Sequence, residues 1–189
     1  MDIDEIYYDA VDLLREIVAV PSLSRQEAGV ADVVERAMRR FGLDVKRHGC
    51  NLWSIAPGFD PQKPTVLLNA HIDTVRVADG WQHQPFSPAM DGDRMYGLGT
   101  NDDGASVVSL LTAFRQLSER EQPYNLIFLA SAEEEVSGKG GIESVLPMLP
   151  VISVALVGEP TGMQPAVAEK GLMVLDGVVR GVAGHAARN

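Results

Sequence analysis

Four stretches of the sequence end in groups that bind cations or move protons. In "LLNAHIDTV" (67–75) an apolar strand runs into His71 and then Asp73, which the two-residue period of a strand points the same way. "TNDDG" (100–104) supplies Asp102 and Asp103, "SAEEEV" (131–136) supplies Glu133, Glu134 and Glu135, and "VGEP" (157–160) supplies Glu159. Each carboxylate taken singly has a plainer explanation: a hydrogen-bonded pair, a helix start, a turn, or a strand end before Pro160. Their order along the chain is what carries weight. If all converge on one crevice, so many like charges repel strongly unless cations sit among them. An imidazole and several carboxylates around a divalent ion can also polarise a carbonyl and hold a proton.

The elements that would bring them together follow from periodicity. Apolar residues at 6, 13, 14, 17 and 18 predict a helix over 4–20, which Pro21 ends. "SRQE" (24–27) has capping-box spacing and predicts a second helix running to about Phe41. Short strands fit 43–48 and 51–56, and near-continuous apolar strands fit 65–70, 125–131 and 153–159. Residues 79–96 read as polar and turn-rich, Gly97 and Gly99 open a tight turn, and "GASVVSLLTAFRQLS" (104–118) reads as an apolar helix. A short helix fits 140–149. Apolar strands alternating with helices predict an α/β fold, a mostly parallel mixed sheet with helices on both faces. In such sheets ligands bind beyond the carboxyl ends of the strands, where the acidic groups stand.

The bulk properties narrow the field. Of 189 residues, 46% are hydrophobic and 22% charged, as in an ordinary soluble globular protein. Sixteen Lys and Arg against 26 Asp and Glu give −10, which argues against nucleic-acid or anionic-membrane partners. The single Cys50 excludes an internal disulfide and a cysteine-based zinc site and fits a reducing cytoplasm. The acidic N-terminus shows no signal peptide, and no apolar run approaches the roughly 20 residues that span a bilayer. A cytoplasmic location is expected. Competing motifs fail on inspection. "GLGTND" has Asp102 where a dinucleotide fingerprint needs its third glycine, and Met95 and Tyr96 occupy the ligand and glycine positions of a calcium loop. No nucleophile elbow is present.

Read together, "NAHIDTV", "W-x(3)-PFSP", "DGDRMYGLGTNDDGAS", "SAEEEVSGKGG" and "VGEPTG" resemble, in order, the co-catalytic zinc amidohydrolases and exopeptidases. This group includes acetylornithine deacetylase, succinyl-diaminopimelate desuccinylase, aminoacylase and glutamate carboxypeptidase, and "YGLGT" looks most like the acetylornithine deacetylase branch. The resemblance covers the chain from about residue 10. It implies two zinc ions, for which cobalt or manganese can substitute, and hydrolysis of the amide bond of a small-molecule N-acyl amino acid. By position it makes His71, Asp102 and Glu159 ligands of the first zinc and Asp102 and Glu135 ligands of the second. Asp73 holds the imidazole and Glu134 is the general base. A slip of one in the glutamate run would make Glu133 the base and Glu134 the ligand.

The sequence departs from the family in places. Asp103, Gly104 and Ala105 stand where Met-Lys-Gly is frequent, and the family's late second-zinc histidine has no counterpart among His48, His71, His83 and His185. "GVVRGVAGHAARN" (177–189) resembles the first strand of the family's lid or dimerisation domain, whose histidine stabilises the oxyanion in a partner subunit; His185 matches it. The resemblance therefore implies a catalytic domain over 1–175, an incomplete lid from 176, and a homodimer in the full-length protein. It also raises the alternatives of a desuccinylase acting on a diaminopimelate or citrulline derivative, of a dipeptidase or carboxypeptidase of the same family, and of a zinc-binding fragment without turnover.

Overall fold

The computed structural model describes residues 2–168, 170, 171, 173, 175 and 177–181. Helices α1 (Ile3–Val18), α2 (Ala28–Arg40) and α3 (Ala105–Ser118) pack against a five-stranded sheet. Its strands are β1 (Lys46–His48), β2 (Asn51–Ile55), β3 (Thr65–His71), β6 (Asn125–Ser131) and β7 (Val154–Val157), and a separate hairpin holds β4 (Ala89–Asp91) and β5 (Arg94–Tyr96). The spatial order is β1-β2-β6-β3-β7, with β6, β3 and β7 mutually parallel and β1 and β2 antiparallel. A short helix α4 (Ile142–Val145) leads towards β7.

The apolar run of β6 is continuous because both faces of that strand are covered. Leu126, Phe128 and Ala130 face the core formed with α1, α2 and α3, where the Phe114 and Phe128 rings lie 6.2 Å apart. The alternate residues Ile127 and Leu129 face a smaller cluster with Trp53, Leu67 and Val145 of α4. Period-two geometry divides one hydrophobic string between two layers, and the sheet is mixed and helix-covered as expected.

The parallel trio fixes the place of the chemistry. Register pairs His71 with Ser131, so β3 and β6 finish side by side, and β7 ends next to them on the other side of β3. The groups that follow all emerge at one edge.

Two expectations are corrected. Ser24 does not cap α2, which begins at Ala28 with Glu27 at the cap position and no side-chain cap bond; the Ser24 hydroxyl is taken by a carboxylate 49 residues away. The stretch 79–96 is turn-rich but not entirely loop: β4 and β5 pair across the two-residue loop Gly92–Asp93, where Gly92 takes a φ of 61°. Of the expected lid strand, 176 and 182–189, with His185, lie outside the described residues, and 177–181 form no regular element. Among the described residues no helix is long and apolar enough to cross a membrane.

Candidate metal centre

His71 is the pivot. Placed by the last residue of β3, it is 2% exposed. Its Nδ1 lies 3.0 Å from the backbone carbonyl of Asp73 and 3.5 Å from that residue's carboxylate. Its Nε2 faces outward, 3.0 Å from Asp102 Oδ1 and 3.9 Å from Glu134 Oε2. With Nδ1–H donating to the Asp73 carbonyl, the neutral form of the ring would direct the Nε2 lone pair among the carboxylates. Asp73, expected to hold the ring by its carboxylate, lies nearer to Nδ1 with its main-chain carbonyl.

The Asp73 carboxylate, fully buried, has other partners. Oδ2 accepts the Ser24 hydroxyl at 2.7 Å and the Glu135 N–H at 3.2 Å, and Oδ1 accepts the Glu134 N–H at 3.0 Å. Burial works to raise its pKa, but His71, Ser24 and these two amides hold it below the usual carboxylate range. Ser24, read from the sequence as a helix cap, is therefore part of the site's support. No local signal pointed to that role, because its partner is remote in sequence.

Asp102 and Asp103 occupy the turn after Gly99, whose φ of 79° the turn requires. Their carboxylates part company. Asp102 is half exposed and faces His71, whereas Asp103 is buried and accepts the His71 N–H at 3.1 Å. Burial pushes the Asp103 carboxyl up to about 7, with Ser106 and His71 pulling against it.

The three successive glutamates also diverge. Glu134 and Glu135 turn towards His71. The Glu133 side chain lies instead against Gly138 and Gly140, accepts the Gly140 N–H at 3.3 Å and sits 3.9 Å from Arg25. A Cβ on either glycine would collide with it.

Two groups of possible ligands share the imidazole: His71 with Asp102 and Glu135, and His71 with Glu134 and Glu159, each with its ligand atoms within 4.8 Å of one another. The four expected metal ligands and the expected base are all brought together, although Glu159 falls with Glu134 rather than with Asp102. Among the described residues no Lys or Arg pairs with Asp102, Glu134 or Glu135. Burial raises the Glu135 pKa, and the negative charges of Asp102, Glu134 and Asp73 add to it against the pull of His71. A divalent cation would relieve this repulsion. Imidazole and carboxylate donors without a thiolate fit zinc, cobalt or manganese.

The protonation state of the ring gives a measurable consequence. Burial alone would discharge His71, but the Asp73, Asp103 and Glu134 carboxylates outweigh it and push its pKa up to about 10. In the metal-free chain this group stabilises the fold fully below its ordinary 6.5 and loses that contribution as pH rises through about 10. Metal coordination needs the neutral ring. Binding at pH 7 of the zinc ion that His71 ligates is therefore expected to release roughly one proton from the ring, with affinity for that ion rising roughly tenfold per pH unit from pH 6 to 8. Calorimetry in buffers of different ionisation enthalpy measures this, and a heat independent of buffer would contradict it.

Comparison with known proteins places this geometry. The profile of peptidase family M20/M25/M40 matches residues 67–172, more than half of the chain. A succinyl-diaminopimelate desuccinylase of Cereibacter sphaeroides is 28% identical over 95% of this chain and 51% of its own length. An acetylornithine deacetylase of Klebsiella pneumoniae is 30% identical over 94% of this chain and 49% of its own length. The chain spans about half the length of these curated relatives. Among solved structures, a Bacillus subtilis dinuclear metal-binding peptidase of the M20 family superposes with a TM-score of 0.64 at 19% identity, over 82% of this chain and 43% of its own. Human carnosine dipeptidase 1 superposes with a TM-score of 0.63 at 21% identity, over 82% of this chain and 40% of its own. At these identities the structural likeness bears on the fold.

Proposed function

From the premise that this chain belongs to peptidase family M20/M25/M40, we propose that it carries the metal site and general base of a metal-dependent hydrolase that cleaves the amide bond of a small N-acyl amino acid. The observation that carries this reading is the buried His71, with Nε2 aimed at Asp102 and Glu134 and two three-residue ligand groups around it. His71, Asp102, Glu135 and Glu159 are the metal ligands on this reading, and zinc is the ion. Such ions would polarise the substrate carbonyl and acidify a water beside it.

The chain's own residues have distinct tasks. The Asp73 carbonyl fixes the tautomer and the direction of His71. Glu134, half exposed and 3.9 Å from Nε2, can reach the solvent side of the cluster with a free carboxylate. It accepts the proton of the attacking water as a carbon–oxygen bond forms, then returns that proton to the nitrogen as the carbon–nitrogen bond breaks. A carboxylate and a free amine result. The placement of Glu133 among the glycines supports Glu134 rather than Glu133 in this role. On the same reading residues 1–175 form the catalytic unit, 176–189 belong to a lid or dimerisation domain, and His185 assists the oxyanion in a homodimer of the full-length protein.

An acetyl group on ornithine is the substrate favoured by the sequence motifs. A succinyl group is the second reading, favoured by the desuccinylases among the relatives. The test is hydrolysis of N-acetylornithine and N-succinyl-diaminopimelate by the purified chain with zinc, before and after chelation. Chelator-sensitive release of one amine identifies the acyl group. Zinc binding without release of either amine would leave a metal-binding protein and overturn the hydrolase reading for this chain.

A further inference from the structure

Glu27 stands outside the cluster of ligands, yet it touches the segment that supplies two of the site's acidic residues, Glu134 and Glu135. It is 2% exposed at the start of α2. Its Oε1 accepts two backbone N–H groups, that of Arg25 at 2.6 Å and that of Glu133, 106 residues away, at 3.1 Å. The next two amides, those of Glu134 and Glu135, end on the buried carboxylate of Asp73. Three consecutive N–H groups are thus held by two buried carboxylates from different parts of the fold. This converging arrangement requires the chain to turn sharply. Glu133 adopts φ 56° and ψ 25°, and Ser137 φ 45°. A left-handed conformation is unfavourable for a residue other than glycine and persists where its surroundings hold it. The turn in turn sends the Glu133 side chain towards Gly138 and Gly140, and those of Glu134 and Glu135 towards His71.

From this geometry we infer that Glu27 is a positioning residue: its carboxylate oxygen clamps the Glu133 amide and so sets the direction of the Glu134 and Glu135 side chains. The link of those two side chains to metal and catalysis rests on the function proposed above, whereas the clamp itself does not. Glu27 makes no contact with the ligand atoms and acts only through the backbone. A neutral acceptor of the same length should serve, and a shorter charged one should not.

The experiment compares Glu27→Gln, Glu27→Asp and Glu27→Ala in the whole chain, with Ile127→Val as a core substitution in the smaller cluster on the other face of the sheet. Hydrogen exchange of the Glu133 amide is read on the metal-free protein, and Zn2+ affinity by competition with a chromophoric chelator. Glu27→Asp, which keeps the charge and the helix-start preference but retracts the oxygen by one methylene, and Glu27→Ala are expected to speed exchange at Glu133 by about tenfold or more. Both are expected to weaken Zn2+ binding about 10- to 100-fold, while Glu27→Gln and Ile127→Val stay within about threefold of the parent. Unchanged Glu133 exchange in the Asp variant, or equal losses in the Gln variant, would overturn the assignment. If the parent binds no Zn2+, the hydrolase reading fails, and exchange at Glu133 still decides whether Glu27 is the clamp.

Discussion

Glu134→Gln is expected to lower kcat by about 10²- to 10⁴-fold with zinc content unchanged. Glutamine keeps the shape of the side chain and the Glu134 N–H bond to Asp73, so the turn and the neighbouring Glu135 stay in place. What is lost is the carboxylate 3.9 Å from the His71 ring, the group with the reach to take a proton from water and return it to the leaving nitrogen. An effect on kcat without one on metal separates this role from ligation. Glu133→Gln is the companion variant. Its side chain lies among Gly138 and Gly140, so turnover should survive with a smaller loss, reflecting the disturbed glycine loop. The opposite result, turnover abolished by the Glu133 variant and metal lost in the Glu134 variant, would show that the roles in the glutamate run are displaced by one.

The second large effect is expected from His71→Ala, which should reduce zinc stoichiometry by at least one ion and weaken residual binding by more than about 100-fold, the upper range for residues that merely support a ligand. His71 is common to both groups of possible ligands, and its outward-facing nitrogen is the one imidazole donor in either. It is also the positive partner of Asp102 and Glu134 in the metal-free chain, and its removal leaves those carboxylates facing one another. Metal analysis on the folded variant decides the point, with circular dichroism to establish folding. Unchanged stoichiometry would remove His71 from the ligand set and with it the core of the proposed site.

These two expectations draw on different parts of the molecule's legibility. That an imidazole and four carboxylates meet at one edge follows from local features: apolar strands whose ends are marked by His71, Glu133–Glu135 and Glu159, and a helix whose preceding turn holds Asp102. Strand and helix periods are set by neighbours in the chain, and parallel pairing then aligns the strand ends without further instruction. The β4–β5 hairpin shows the limit of that reading. Its Gly-Asp loop at 92–93 is present, but strands of three residues each leave too little alternation to stand out from a loop.

What the sequence determined by itself was the inventory of chemical groups, the elements that carry them, and the edge at which they gather. The tertiary structure alone decided which way each group faces and what holds it. Ser24 satisfies Asp73 rather than a helix start, Glu27 reaches Glu133 rather than closing a capping box, and the His71 ring rests on a backbone carbonyl rather than directly on the Asp73 carboxylate. The reason is physical. A buried donor must find an acceptor, and in a packed interior the available one is chosen by position across 49 or 106 residues of chain, distances at which spacing in the sequence carries no information.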